Sequence, residues 1–235
     1  FQTHVLIAVI CAVTAAISFF FLKDSPATIG REVTPLMPKI VQAFKVKTTW
    51  QLCFLYAVVF GAFVAFSNYL PTYLSNIYNF NANDAGMRAA GFAVAAVIAR
   101  PFGGVLADKF GPKIITLISL GGVVILAVIT AFQPDAEHVY GAVFILMAAL
   151  LGLGHGSVFG WVGRAADPKN VGAVSGVIAA AGALGGFFPP LVMGATYNQE
   201  HNSYFIGLML LAVTAALAFL SAFLVPHGGK PNHAK

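Results

Sequence analysis

Charge is scarce in this chain. Asp, Glu, Lys and Arg make up 9% of its 235 residues and hydrophobic residues 59%, where a soluble globular domain carries about a quarter and about half. A water-soluble fold is excluded, and so is a disordered chain, which needs low hydrophobicity and dense charge to stay open. Cysteine is nearly absent. Cys11 and Cys53 both sit inside apolar runs, so neither a disulfide framework nor a cysteine zinc site is available. Acidic residues number eight, and all fall in loops or at helix ends. That leaves no paired carboxylates, no metal cluster and no nucleophile with a base, so no enzyme chemistry and no cofactor are expected. The chain opens on Phe1, runs at once into apolar sequence, and shows neither a charged n-region nor a small-residue cleavage site. It reads as part of a longer protein.

Long apolar runs are what the sequence has in abundance. Seven stretches of about 20 residues, near 3–22, 51–75, 85–106, 114–132, 139–162, 172–197 and 204–225, are each long enough to cross a bilayer as a helix. The expected fold class is therefore an all-α membrane protein with seven transmembrane helices and the lipid bilayer as its solvent. The net charge of +5 would suggest nucleic acid in a soluble protein, but here its distribution gives it another meaning. Lys23, Arg31, Lys39, Lys45 and Lys47 follow the first span, Lys109 and Lys113 the third, Arg164 and Lys169 the fifth, and Lys230 and Lys235 the seventh. Eleven of the thirteen bases thus lie on one side, while Arg88 lies opposite with Asp84, Asp135, Glu137 and Glu200. The positive-inside rule makes the basic side, and the C-terminus, cytoplasmic. No nucleic-acid partner is implied.

The connection 23–50 is the longest, basic, and carries Pro26, Pro35 and Pro38. It suits a cytoplasmic linker between two helix bundles. The expected organisation is one helix of a preceding bundle (1–22), the linker (23–50), a six-helix bundle (51–225) and a cytoplasmic tail (226–235). Six spans built as three plus three follow the repeat logic of secondary transporters.

Arg100 is the one base within a span. It precedes Asp108 by eight residues, which places it about 12 Å above the end of its helix at 1.5 Å per residue. Either it snorkels to the headgroups, or it faces a cavity or partner. The six spans offer no carboxylate, so its counter-ion would be a ligand, and a planar fork of donors suits a small planar oxyanion. His155, in GLGHGS (152–157), either relays a proton, lines the pore, or is satisfied by a neighbour. Gly152, Gly156 and Gly160 repeat every four residues, as do Gly182 and Gly186, which implies close helix contact on one face. The segment GALGGFFPP (182–190) crowds glycine and proline into mid-span and frees backbone groups. Gly185 and Gly186 there read either as packing positions or as functional ones. In LYAVVFGAFVAF (55–66), Tyr56 and Phe60 share a face, and the Tyr56 hydroxyl needs an internal partner.

The loop GVLADKFGPK (104–113) resembles the cytoplasmic motif of the major facilitator superfamily, which recurs after the second and eighth helices. Placed there, the seven spans look like helices six to twelve of a twelve-helix carrier. Within the superfamily the details resemble the nitrate/nitrite porter family. GALGGFFPP is similar to its glycine-rich signature on the eleventh helix and GLGHGS to a GLGSGS-like stretch on the tenth. Arg100, in IARPFGG (98–104), matches its substrate-binding arginine, and Tyr56 with Phe60 its tyrosine and gating phenylalanine on the seventh helix. His155 stands where the family pattern has serine, and Pro101 directly follows the arginine. The resemblance implies nitrate/nitrite transport by alternating access in a bacterial inner membrane. Arg100, Tyr56, Phe60, His155, Gly182, Gly185 and Gly186 would form half of the substrate site, completed by an N-terminal bundle. Carriage of another small anion, such as cyanate, formate or a larger carboxylate, and a non-transporting anion sensor are the alternatives.

Overall fold

The computed structural model describes residues 2–22, 35–135, 137–167 and 169–225. Lys23, Pro26, Arg31 and the tail bases Lys230 and Lys235 lie outside the described residues. Two compact units result, Phe1–Pro35 and Leu36–Lys235. The first contains α1 (Gln2–Phe21), apolar for most of its length after Gln2, Thr3 and His4.

In the second unit, α2 (Leu36–Lys45) leads into α3 (Lys47–Tyr78), α4 (Ala82–Phe110), α5 (Pro112–Ala131), α6 (Glu137–Ala165), α7 (Val171–Gly185), α8 (Phe188–Ala195) and α9 (Phe205–Leu224). With α1, and with α7 and α8 taken as one segment, seven helices among the described residues are long and apolar enough to cross a membrane. Helix α2 and the first turn of α3 fall within 23–50, the stretch whose prolines read as linker.

Local chemistry sets the boundaries. At the end of α3, Asn79 adopts the left-handed conformation (φ 55°), and Asn81 then caps α4 by accepting from the Asp84 amide at 2.9 Å. Between α4 and α5 the chain reverses at Gly111 (φ +95°), where a side chain would be strained, and Pro112 opens α5 at a position that needs no N–H. The span beginning at Val171 stops after Gly185 and resumes at Phe188. Pro189 and Pro190 carry no N–H with which to bond the carbonyls four residues earlier.

Packing follows residue size. Large apolar side chains such as Val94, Ile98, Ile118, Ile125, Leu217 and Leu220 point outward, where lipid would meet them. Small residues line the α4–α6 contact, while Phe92, Trp161 and Tyr204 are among the large side chains that fill the core. Helix α4 packs on α6, α5 on both α6 and α9, and α3 on α7. A Cβ at Gly103 would run into the Leu153 carbonyl, one at Gly152 into the Ala96 carbonyl, and one at Gly156 into the Arg100 carbonyl. Backbone therefore lies on backbone between α4 and α6. Several buried hydroxyls are paired across or within helices, as in Thr116 Oγ1 to Ser157 Oγ at 2.8 Å and Ser119 Oγ donating to the Leu150 carbonyl at 2.6 Å, whereas Ser67 Oγ on α3 is buried without a partner among the described residues. Thr116→Val should cost about 0.6 kcal/mol, the mean for such interhelical bonds, read as a small fall in detergent unfolding midpoint.

Surface charge is settled at both ends. Arg164 on α6 bonds the Asp108 carbonyl at 3.0 Å and its carboxylate at 3.3 Å, and Lys113 donates to the Phe223 carbonyl at 2.7 Å. At the opposite ends of α4 and α6, Arg88 and Glu137 pair at 2.6 Å.

Candidate anion site

The α4–α6 glycine contact brings Arg100 and His155 onto neighbouring backbones, since the residue after His155 is the one that meets the Arg100 carbonyl. Helix α4 runs unbroken through Pro101. Arg100 stands ten residues before the end of α4 at Phe110, about 15 Å along the axis.

Around it are rings. The guanidinium carbon of Arg100 lies 4.5 Å from the centroid of Phe63 and 6.0 Å from that of Phe60. These are cation–π distances, which stabilise the charge in part without neutralising it. The ion pairs among the described residues are Arg88–Glu137 and Arg164–Asp108, and neither involves Arg100. Its Nε is buried and has no hydrogen-bond partner. A buried donor left so is rare and calls for an acceptor that the described residues do not supply.

Tyr56 is 4% exposed, and its hydroxyl lies 2.7 Å from His155 Nε2. The inward partner that the tyrosine requires is thus the histidine one helix away. Tyr56 and Phe60 stack in parallel (5.4 Å between centroids, 3° between planes), and His155 meets both edge-on at 5.0 and 5.1 Å. Phe159 closes on Tyr56 at 4.8 Å. His155 Nδ1 is buried and unpartnered, like Arg100 Nε.

The three glycines of the segment 182–190 are placed differently. A Cβ at Gly182 would stand 2.5 Å from the Tyr56 ring and 3.1 Å from Phe60, so its bare backbone covers the stacked pair. Gly185 lies on the Ala57 carbonyl and Gly61, and Gly186 on Val64, along the α3–α7 contact. Gly185 also lines an apolar crevice of about 270 Å³ between α3, α8 and α9, which does not include Arg100 or His155. The structure therefore brings Arg100, Tyr56, Phe60, His155 and Gly182 together and sets Gly185 and Gly186 along the flank. Phe63 and Phe159 escaped the sequence reading. Phe63 follows Phe60 by three residues and Phe159 follows His155 by four, the helical spacing that would have put them on the same faces.

Among the described residues no three His, Cys, Asp or Glu side chains gather into a metal-holding group. What the site offers is a fixed planar cation, two aromatic walls and two unpaired polar atoms. That suits a small anion with several acceptor oxygens.

Residues 2–190 and 52–235 match the Major Facilitator Superfamily. The protein of Mycobacterium tuberculosis named probable nitrate/nitrite transporter NarK2 is 50% identical over 218 residues, which is 93% of this chain and 55% of that protein. The nitrite extrusion protein of Bacillus subtilis is 36% identical over 183 residues, 77% of this chain and 45% of that one. The chain spans about half the length of these relatives. Among solved structures, the proton:xylose symporter XylE superposes with a TM-score of 0.63 at 16% identity, over 83% of this chain and 46% of that one. That likeness concerns the fold. Family profile and relatives together show that this chain belongs to the major facilitator superfamily, on its nitrate/nitrite porter branch.

Proposed function

We propose that the chain supplies the C-terminal part of a nitrate/nitrite carrier that works by alternating access. In this reading α1 is the last helix of an N-terminal bundle and residues 51–225 form the second bundle. The carrier resides in the bacterial inner membrane, with residues 226–235 in the cytoplasm. The sorting of eleven bases to one side supports that orientation.

One observation carries the substrate class: Arg100 is held among rings inside the bundle, with a buried Nε that nothing among the described residues accepts from. A bidentate fork onto a planar oxyanion supplies both acceptor and counter-charge, whereas an ammonium supplies neither and a neutral sugar no charge. Tyr56 and Phe60 wall the anion on the α3 side, Tyr56 orienting it and Phe60 closing over it. His155 lines the site from α6. Gly182 lets α7 cover the pair, and the break after Gly185 and Gly186 lets that span flex as the bundles rock.

The test is flux. The carrier with both bundles, reconstituted in liposomes, should accumulate labelled nitrate and be inhibited by nitrite more strongly than by formate or cyanate. Preferred uptake of one of those anions would reassign the substrate, and specific binding without flux would make the protein a sensor.

A further inference from the structure

We infer that His155 carries its proton on Nδ1 and donates it to the oxygen of nitrate that the Arg100 fork leaves free, so this position sets the preference for nitrate over nitrite. The inference rests on the anion-site reading above and adds a selectivity element to it.

The tautomer follows from a count of donors and acceptors. A neutral imidazole has one N–H and one bare nitrogen. His155 Nε2 lies 2.7 Å from Tyr56 Oη, and no other hydrogen bond to that hydroxyl is present among the described residues. If Tyr56 donates to Nε2, the histidine proton sits on Nδ1 and one polar group, Nδ1–H, remains unpaired. If Nε2 donates instead, both the tyrosine O–H and the bare Nδ1 are left unpaired in a buried place, at a higher cost. Tyr56 thus holds the proton on the nitrogen that has no partner.

The pair of orphans then has one chemistry. Nδ1–H of His155 and Nε–H of Arg100 are both donors, both buried, and both side chains lie against the Phe60 ring, at 5.1 and 6.0 Å. They come from helices whose backbones touch at Gly156. Among the described residues, the groups that face His155 are Tyr56 and Phe60 from α3, Arg100 from α4 and Phe159 from its own helix, and none accepts a hydrogen bond from Nδ1. Two buried donors against one ring, on touching helices and without an acceptor, are the complement of an oxyanion.

Nitrite presents two oxygens, and a bidentate guanidinium occupies both. Nitrate presents a third, directed away from the fork. A donor beyond the fork is therefore used by nitrate and idle with nitrite. Because the donor is neutral, it adds selectivity by direction and not by charge.

Binding of nitrate and of nitrite is to be measured on the purified two-bundle carrier with His155→Leu, His155→Asn, His155→Gln and Arg100→Lys. His155→Leu should weaken nitrate about tenfold, the scale of one hydrogen bond to a charged partner, and nitrite less than about twofold. His155→Asn, whose amide sits where Nδ1 was, should restore nitrate binding to within about threefold of wild type, whereas His155→Gln, which reaches the Nε2 position, should behave like the leucine variant. Equal losses for both anions, no loss for either, or asparagine no better than leucine would overturn the inference. In the wild-type protein carrying 15N-histidine, NMR should place the proton of His155 on Nδ1, and a proton on Nε2 overturns the inference without any variant. Arg100→Lys separates the two levels. If it leaves both anions bound as in wild type, the anion-site reading itself fails. If it weakens both while His155→Leu changes them equally, only the histidine's role is lost.

Discussion

Arg100→Lys is expected to lower nitrate affinity about a hundredfold, or about 2.7 kcal/mol, with uptake at low nitrate falling in proportion. Charge is conserved by this change, so the loss measures geometry. A guanidinium offers two parallel N–H groups in one plane, and here that plane is steadied by Phe63 at 4.5 Å. An ammonium keeps the point charge but gives up one of two charge-assisted bonds and the planar stack. Arg100→Leu separates binding from stability. Removing a buried cation that no carboxylate among the described residues balances should leave the empty protein's unfolding midpoint unchanged or raised, while nitrate binding is abolished. Binding and stability are therefore separated at one residue. Normal uptake by the lysine variant, or a large loss of midpoint in the leucine variant without loss of binding, would show that the guanidinium serves packing and not the anion.

Much of this arrangement was legible from residue types because lipid enforces simple rules. A span needs about 20 apolar residues, and bases collect on one side, so helix count follows from composition and loop charge. GALGGFFPP signalled the interruption between α7 and α8, since prolines at 189 and 190 remove two donors whatever surrounds them. Gly111 marked the α4–α5 reversal for a similar local reason. Less visible was anything decided by partners far apart in sequence. The Tyr56–His155 bond joins residues 99 positions apart, and Phe63 and Phe159 are two of 21 phenylalanines, most of which a span displays to lipid equally well. The Arg164–Asp108 pair was hidden similarly, because each residue reads as an ordinary loop charge until α4 and α6 are side by side. Helix α2 was obscured by Pro38, which sits in its first turn, where proline is tolerated.

The α4–α6 contact yields the largest expected loss of stability. Gly156→Leu should destabilise the bundle by about 3 kcal/mol, the upper range for overpacking, and weaken anion binding with it. The reason lies in what the new atoms would meet. A Cβ at Gly156 falls on the Arg100 carbonyl and within 2.7 Å of the Gly104 amide, which are backbone atoms and cannot rotate away as a side chain would. The helices must separate, and they must do so at the level where α4 contributes Arg100 and α6 contributes His155. Even Gly156→Ala should lower the unfolding midpoint and nitrate affinity together. Helix propensity predicts the reverse, since alanine is favoured over glycine in a helix by about 1 kcal/mol. Gly91 supplies the control: it lies on the same α4, exposed, with nothing within 4 Å of a built Cβ, so Gly91→Ala should be neutral or stabilising and leave binding intact. Parallel effects of the two alanine variants would mean that close backbone approach is not what sets the spacing of Arg100 and His155. Opposite effects would tie the glycine repeat of α6 directly to the geometry of the anion site.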